Sequence, residues 1–164
     1  MKPAFTQKYL RSILHYNPET GKWKWLRSKG SQKAGNPAGC LDQGYYTIRI
    51  RRHNYISSRV AFLYMKGRWP KEVMDHKNGV TTDDRWENLR EATRGQNQQN
   101  HKRNSRNKSG YKGVQWMPRC KNFRARIRVR GELIQIGTFP TPELAHAAYV
   151  AAAKKHFGEF ARAA

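Results

Sequence analysis

The sequence has few cysteines, few acidic residues and no long apolar segment, and each shortage excludes a class of protein. Its two cysteines, Cys40 and Cys120, belong to no CxxC pair, so a zinc ribbon or a disulfide framework has no support. Any bound metal is therefore expected to have oxygen ligands. No apolar run approaches the roughly 18 residues of a transmembrane span, and the first eight residues contain no signal-peptide core. These features predict a soluble protein of the cytoplasm.

Basic residues are abundant. The 164 residues include 33 Lys and Arg against 11 Asp and Glu, which gives a formal net charge of +22. Such a surface repels itself unless it meets a polyanion. Nucleic acid is therefore the predicted partner, and a basic membrane binder is the competing interpretation. A hydrophobic content of 37% is sufficient for one ordinary domain or two small ones.

More than half of the acidic residues lie in one short segment. They are Glu72, Asp75, Asp83, Asp84, Glu87 and Glu91. Most are expected to be solvated loop carboxylates, but Asp75 precedes His76, and Asn88 and Asn97 follow. A carboxylate and an imidazole with two carboxamides can hold a hard divalent metal through oxygen and leave a base beside it. This pattern predicts hydrolysis of a phosphodiester.

The segment also has the pattern of a hairpin followed by a helix. Residues 72–75 and 89–93 read as short strands, with Asn78-Gly79 as a turn between them. Thr93 is a suitable N-cap for a helix over 94–100. A helix packed across this hairpin would bring Asp75, His76 and Asn97 into one metal-sized site.

The motifs DHKNG, ENLR and RGQNQQN resemble the HNH endonucleases of the ββα-metal fold, especially free-standing and homing nucleases of phages. The resemblance implies that His76 is the general base, that Asp75 and Asn97 bind a single Mg²⁺ or Mn²⁺, and that Asn88 anchors the loop between the strands. The segment before the motif also looks like that of phage members, although Ser58 stands where such relatives commonly have a histidine.

The first third of the chain is predicted to form hairpins and two short helices. Strands are expected at 21–26 and 44–50, joined by a Gly, Ser and Pro-rich connection, with a turn over 51–54 and a return strand at 55–57. The helices are expected at 5–15, stopped by Asn17-Pro18, and at 59–65, ended by Gly67.

The last third alternates strictly between apolar residues and arginines over 122–130 (NFRARIRVR). Such a strand packs one face on a core and turns four arginines to the other. Neighbouring strands are predicted at 110–116 and 133–139. Thr141, Pro142 and Glu143 provide the cap, first residue and acidic first turn of a helix that ends near Phe157-Gly158.

Residues 109–164 resemble the AP2 DNA-binding domain through YKGV, RARIRV, IGTF, ELAHAAYVAAA and HFGEFA. In that family the three-stranded sheet lies in the major groove. The resemblance implies DNA contacts by Gln115, Trp116, Arg119, Arg124, Arg126 and Arg128. Arginine can bind phosphate or guanine.

The predicted fold class is α+β. It comprises a ββα-metal HNH nuclease unit with preceding hairpins at 1–100, a basic linker at 101–108, and an AP2-like three-stranded antiparallel sheet packed on one helix at 109–164. The predicted function is a metal-dependent endonuclease of double-stranded DNA, of the phage or homing type and targeted by the AP2-like domain. A monomer that nicks is favoured, and double-strand cleavage would need a dimer or two successive events. Two other interpretations are a DNA-binding regulator with an inactive HNH domain and a structural or RNA-binding protein.

Overall fold

The computed structural model describes residues 5–30, 32–100 and 107–162. The chain is a mixed α and β protein that divides into two compact units, Met1–Ala92 and Thr93–Ala164. The boundary falls before the helix that follows Thr93, eight residues earlier than the end of the predicted nuclease unit. Residues 101–106 of the predicted linker lie outside the described residues.

The described residues of the first unit form three small antiparallel sheets and two α-helices. In chain order its elements are α1 (Gln7–Ile13), β1 (Leu14–Tyr16), β2 (Trp23–Trp25), β3 (Cys40–Asp42), β4 (Tyr45–Ile50), β5 (His53–Ile56), α2 (Ser57–Lys66), β6 (Val73–His76) and β7 (Leu89–Ala92). Strand β1 pairs with β2, β4 lies between β3 and β5, and β6 pairs with β7. A 3₁₀ turn over Trp86–Asn88 leads directly into β7.

Several elements of this unit differ from the sequence prediction. Helix α1 begins after the capping residue Thr6 but ends at Ile13, because Leu14 pairs with Trp25 and starts β1. The predicted turn over 51–54 is only two residues long, so β5 begins at His53. Strand β3 was not predicted, because all three of its residues are exposed and lack the alternation of a half-buried strand. Helix α2 ends at Gly67, as predicted.

The core of the first unit lies where α2 meets β1, β2 and β4. Helix α2 buries Val60, Ala61 and Leu63 in this core, which fits the i, i+3 spacing of a helix face. Trp23 in β2 packs its ring 4.7 Å from that of Tyr16 and donates from Nε1 to Ser57 Oγ at 2.9 Å. The core therefore ties the β1–β2 hairpin to the start of α2.

The second unit begins with a short helix and continues as a sheet covered by a long helix. Its elements are α3 (Arg94–Gln99), β8 (Val114–Met117), β9 (Asn122–Val129), β10 (Glu132–Phe139) and α4 (Pro142–Phe157), followed by a 3₁₀ turn over Gly158–Phe160. The antiparallel sheet has the order β10-β9-β8. Strand β8 starts four residues later than the predicted 110, because Gly110 and Gly113 both have positive φ and belong to the turns that precede it.

Helix α4 packs on the apolar face of this sheet. Ala145, Tyr149 and Ala153 recur every four residues on one side of the helix and are buried. Ala145 packs with Ala125 of the sheet, and Tyr149 and Ala153 pack with Ile127. Thr141 Oγ1 accepts from Leu144 N at 3.3 Å, so the helix starts with the predicted cap. Small helix residues allow this close approach to β9.

Candidate active site

Asp75 and His76 are the last two residues of β6, next to the loop that joins it to β7. The register pairs Asp75 with Arg90 and His76 with Leu89. Both side chains are buried, with exposed fractions of 3% and 4%. Successive residues of a strand point to opposite faces, so the two functional groups occupy different surroundings although they are adjacent in sequence.

His76 is paired with a carboxylate. Its Nε2 lies 2.9 Å from Asp84 Oδ1, and Asp84 is 3% exposed. The Tyr45 ring lies on another side, with its centroid 6.4 Å from that of the imidazole. A buried imidazole with a carboxylate on one nitrogen has a fixed orientation, which is what a general base needs.

Asp75 is paired with an arginine. Arg90 Nε donates to Asp75 Oδ2 at 2.8 Å, and the Arg90 side chain is only 10% exposed. Burying a carboxylate without such a partner would be costly. The Arg90 guanidinium is such a partner, and a carboxylate oxygen is a ligand that hard metal ions prefer.

Asn88 joins the two ends of the loop between β6 and β7. Its Oδ1 accepts from Asn78 N at 3.0 Å, and its Nδ2 donates to Asn78 Oδ1 at 3.1 Å and to Asp83 O at 2.7 Å. The side chain is buried. This geometry makes Asn88 a cross-link within the loop rather than a group directed at a substrate.

The backbone of residues 84–86 in this loop is held by contacts from the β1–β2 hairpin (residues 14–25). Tyr16 Oη donates to Asp84 O at 2.6 Å, and Trp86 N donates to Pro18 O at 2.9 Å. Burial, followed by the negative charges of Asp84 and Asp83, raises the pKa of Tyr16 far above its usual range. The phenol therefore remains a donor across the whole working pH range.

Gly21, in the β1–β2 loop (residues 17–22), also packs against this peptide. Its φ is +68°, and a Cβ at this position would lie 2.5 Å from Asp84 C and 2.6 Å from Arg85 N. Only a glycine lets the two backbone segments approach this closely. The sequence predicts a solvated loop carboxylate at Asp84, and nothing in its local sequence distinguishes it from Asp83. Its role depends on contacts from residues more than 60 positions away.

The other acids of the cluster have structural partners or face solvent. The Arg85 guanidinium, which donates twice to Asp83, holds the pKa of that carboxyl well below its usual range. Glu91 accepts from Arg68 and from the backbone N–H of Lys71 and Glu72, and the Arg68 hydrogen bond is the main cause that lowers the Glu91 pKa to about 2. Both carboxylates thus stabilise turns around the hairpin.

Asn97, the other predicted ligand, lies half-buried in α3, which belongs to the second compact unit. Thr93 and Gln96 form a capping box at the start of this helix. The first unit thus contains Asp75 and His76, and the second unit contains Asn97. Within the described ranges, no group of three or more His, Cys, Asp and Glu side chains is placed to hold a metal ion.

The arginines of β9 share one face of the second unit's sheet. The register pairs Arg124 with Gln115, Arg126 with Gln135 and Arg128 with Leu133, and paired residues point to the same side. Arg124 donates to Gln115 Oε1 at 3.2 Å, but its Nε is buried and has no hydrogen-bond partner among the described residues. We call Gln115, Arg124, Arg126 and Arg128 the arginine face.

Two further predicted contacts lie elsewhere. Trp116 pairs with Phe123, which belongs to the apolar face, and the two ring centroids are 4.7 Å apart. The register therefore places Trp116 on the side opposite the arginine face, 41% exposed. Arg119 is exposed in the turn between β8 and β9.

Comparison with known families identifies one domain. Residues 55–99 match the model of the family described as HNH endonuclease. An HNH endonuclease domain therefore occupies this span, which includes Asp75, His76, Asn88 and Asn97, and it indicates a nuclease that acts on DNA. HNH nucleases generally use a divalent metal ion. No curated protein and no solved structure matches the chain.

None of the helices in the described part of the chain combines the length and the apolar composition needed to cross a membrane. The two cysteines are exposed and form no disulfide.

Proposed function

We propose that the protein is a metal-dependent DNA endonuclease in which His76 is the general base. The observation that carries this proposal is the buried Asp75-His76 pair at the end of β6, inside the matched HNH domain. An imidazole can accept a proton from water at neutral pH. Removing that proton at the phosphate generates the nucleophile for hydrolysis.

The available ligands fit Mg²⁺ or Mn²⁺. Mg²⁺ binds through one or two protein oxygens and keeps water and phosphate at its other positions, and the buried carboxylate of Asp75 supplies one such oxygen. The resemblance to phage and homing HNH nucleases assigns Asn97 as a second ligand. When bound, the ion would relieve the negative charge that grows on the phosphate and on the leaving 3′ oxygen.

The remaining groups of the site orient this chemistry. Arg90 holds the Asp75 carboxylate in place, and Asn88 fixes the loop that follows His76. Neither contact requires a substrate to form. The base and the carboxylate are therefore positioned before DNA binds. This lowers the entropic cost of reaching the reactive arrangement.

We further propose that the second unit directs the nuclease to DNA as an AP2-like module. Its support is the arginine face, where three cations lie on one side of a sheet whose other side is covered by α4. Arginine side chains on one face of a strand can bind phosphate or guanine. Arg119, in the exposed turn between β8 and β9, is a proposed contact to the DNA backbone.

A plasmid assay tests the nuclease. Purified protein is incubated with supercoiled plasmid and Mg²⁺ or Mn²⁺, with and without chelator. We expect metal-dependent conversion to open circles, and we expect His76→Ala to lower the rate by about 10²- to 10⁴-fold, the usual contribution of a general base. His15→Ala, which removes an exposed histidine of β1, is the matched control and should cut normally. Plasmid that stays intact with both metals, while the protein still binds DNA, would favour a regulator with an inactive HNH domain.

A further inference from the structure

Asp84 is buried, ionisable and not used by the proposed mechanism. Its carboxylate is 3% exposed and its Oδ1 lies 2.9 Å from His76 Nε2. A buried carboxylate is retained only where a partner compensates for its lost hydration. His76 is such a partner for Asp84, and the same contact constrains the imidazole.

An ionised carboxylate only accepts hydrogen bonds, so the nitrogen that faces it must carry the proton. In the neutral imidazole the lone pair is then on Nδ1. We propose that Asp84 is a positioning residue that fixes His76 in the Nε2–H tautomer and so makes Nδ1 the basic atom. This inference rests on the proposed function for its catalytic meaning, but the tautomer itself is a property of the folded chain.

The backbone around Asp84 is fixed from two directions. Asn88 Nδ2 donates to Asp83 O at 2.7 Å, and Tyr16 Oη donates to Asp84 O at 2.6 Å. Two consecutive carbonyl groups are thus held by different elements, one inside the loop and one from the end of β1. The close packing of Gly21 against the same peptide removes the remaining space on that side.

These contacts distinguish Asp84 from Asp83, its neighbour in sequence. The Asp83 carboxylate accepts from Arg85 and Asn78 and is bound within its own loop. The Asp84 carboxylate instead reaches across to the strand that carries the proposed base. A carboxylate behind an imidazole that sets its tautomer is a recurring arrangement in hydrolases, where replacing the acid by its amide permits the wrong tautomer.

Nitrogen NMR of the full-length protein with ¹⁵N-labelled histidine tests the proposal without DNA or metal. At a pH of about 8.5, where a free imidazole is neutral, His76 should show a protonated Nε2 and an unprotonated Nδ1. The His76→Ala variant assigns the signals. A wild-type spectrum with the proton on Nδ1 would overturn the proposal, and this result needs no Asp84 variant to fold.

The variant Asp84→Asn then tests the cause. Its side chain has the same shape, but the amide can donate as well as accept, so we expect a mixture of tautomers and a cleavage rate at least about 10²-fold lower in kcat, with a smaller change in KM. Asp42→Asn makes the same change of charge at an exposed position of β3 and should leave both readings unchanged. An Asp84→Asn protein that melts normally and keeps the wild-type tautomer contradicts the inference. A fixed tautomer in a wild-type protein that cuts no DNA contradicts the nuclease instead.

Discussion

Replacing Gly21 by alanine should disturb the loop that carries Asp84 and lower the free energy of unfolding for two reasons. An alanine at φ +68° is in the left-handed region, which costs about 1 to 2 kcal/mol for a residue with a Cβ. The added methyl would also lie 2.5 Å from Asp84 C. Backbone atoms cannot rotate away as a side chain can, so overpacking of about 1 to 3 kcal/mol is added.

Gly35→Ala separates the two contributions. Gly35 has φ +85° and an added Cβ would meet no atom within 4 Å, so this variant carries the conformational cost alone. The difference between the variants is the cost of pushing on the Asp84 peptide, about 1 to 3 kcal/mol. For a unit of 60 to 100 residues each kcal/mol lowers the melting temperature by about 4 to 8 °C.

The measurement is thermal unfolding of the full chain followed by tryptophan fluorescence, since four of the five tryptophans lie in Met1–Ala92. We expect Gly21→Ala to melt at least about 4 °C below Gly35→Ala. We also expect it to cut plasmid more slowly at a temperature where both variants are folded. Equal melting temperatures would show that the hairpin does not press on the Asp84 peptide and would refute this reasoning.

Two further predictions concern acid stability and DNA binding. Glu91 has a folded pKa of about 2, mainly because of Arg68; it therefore contributes stability above its ordinary pKa of about 4.5 that is lost as the pH falls toward 2. Glu91→Gln should remove that pH dependence at a cost of about 1 kcal/mol at neutral pH, measured by urea unfolding from pH 2.5 to 7, and an unchanged slope would contradict the assignment. Changing Arg124, Arg126 and Arg128 to alanine should weaken DNA binding and reduce its salt dependence by about 0.9 for each lost phosphate contact. Alanine at Arg27, Lys154 and Lys155 removes the same charge from exposed positions outside the arginine face, and equal effects in both triple variants would argue against that face.

Elements with strong local signals could be predicted from the sequence. The alternation of β9 and the Thr141-Pro142 start of α4 are set by neighbours in the chain, and the structure has both. The strands β6 and β7 also lie within a residue of their predicted ends. In contrast, the end of α1 depends on the pairing of Leu14 with Trp25, and β3 exists because Leu41 pairs with Tyr46. Such tertiary contacts override local propensity.

The side on which Trp116 lies was equally inaccessible to sequence analysis. Its motif predicts a DNA contact, but the pairing with Phe123 assigns it to the face that packs toward α4. The period of two along β9 identifies which of its own residues share a face. Only the register between β8 and β9 shows which residues of β8 lie on that same face. A shift by one residue would exchange Gln115 and Trp116.

The candidate site depends on more of the chain than the matched HNH domain. Within residues 55–99, Arg90 secures Asp75 and Asn88 secures the carbonyl of Asp83. The next carbonyl, that of Asp84, is held by Tyr16, which lies outside the match. Because the tautomer proposed for His76 depends on the position of the Asp84 carboxylate, the Tyr16 contact is expected to influence which nitrogen serves as the proposed base. The hairpin that precedes the motif is therefore expected to contribute to the geometry of the proposed site.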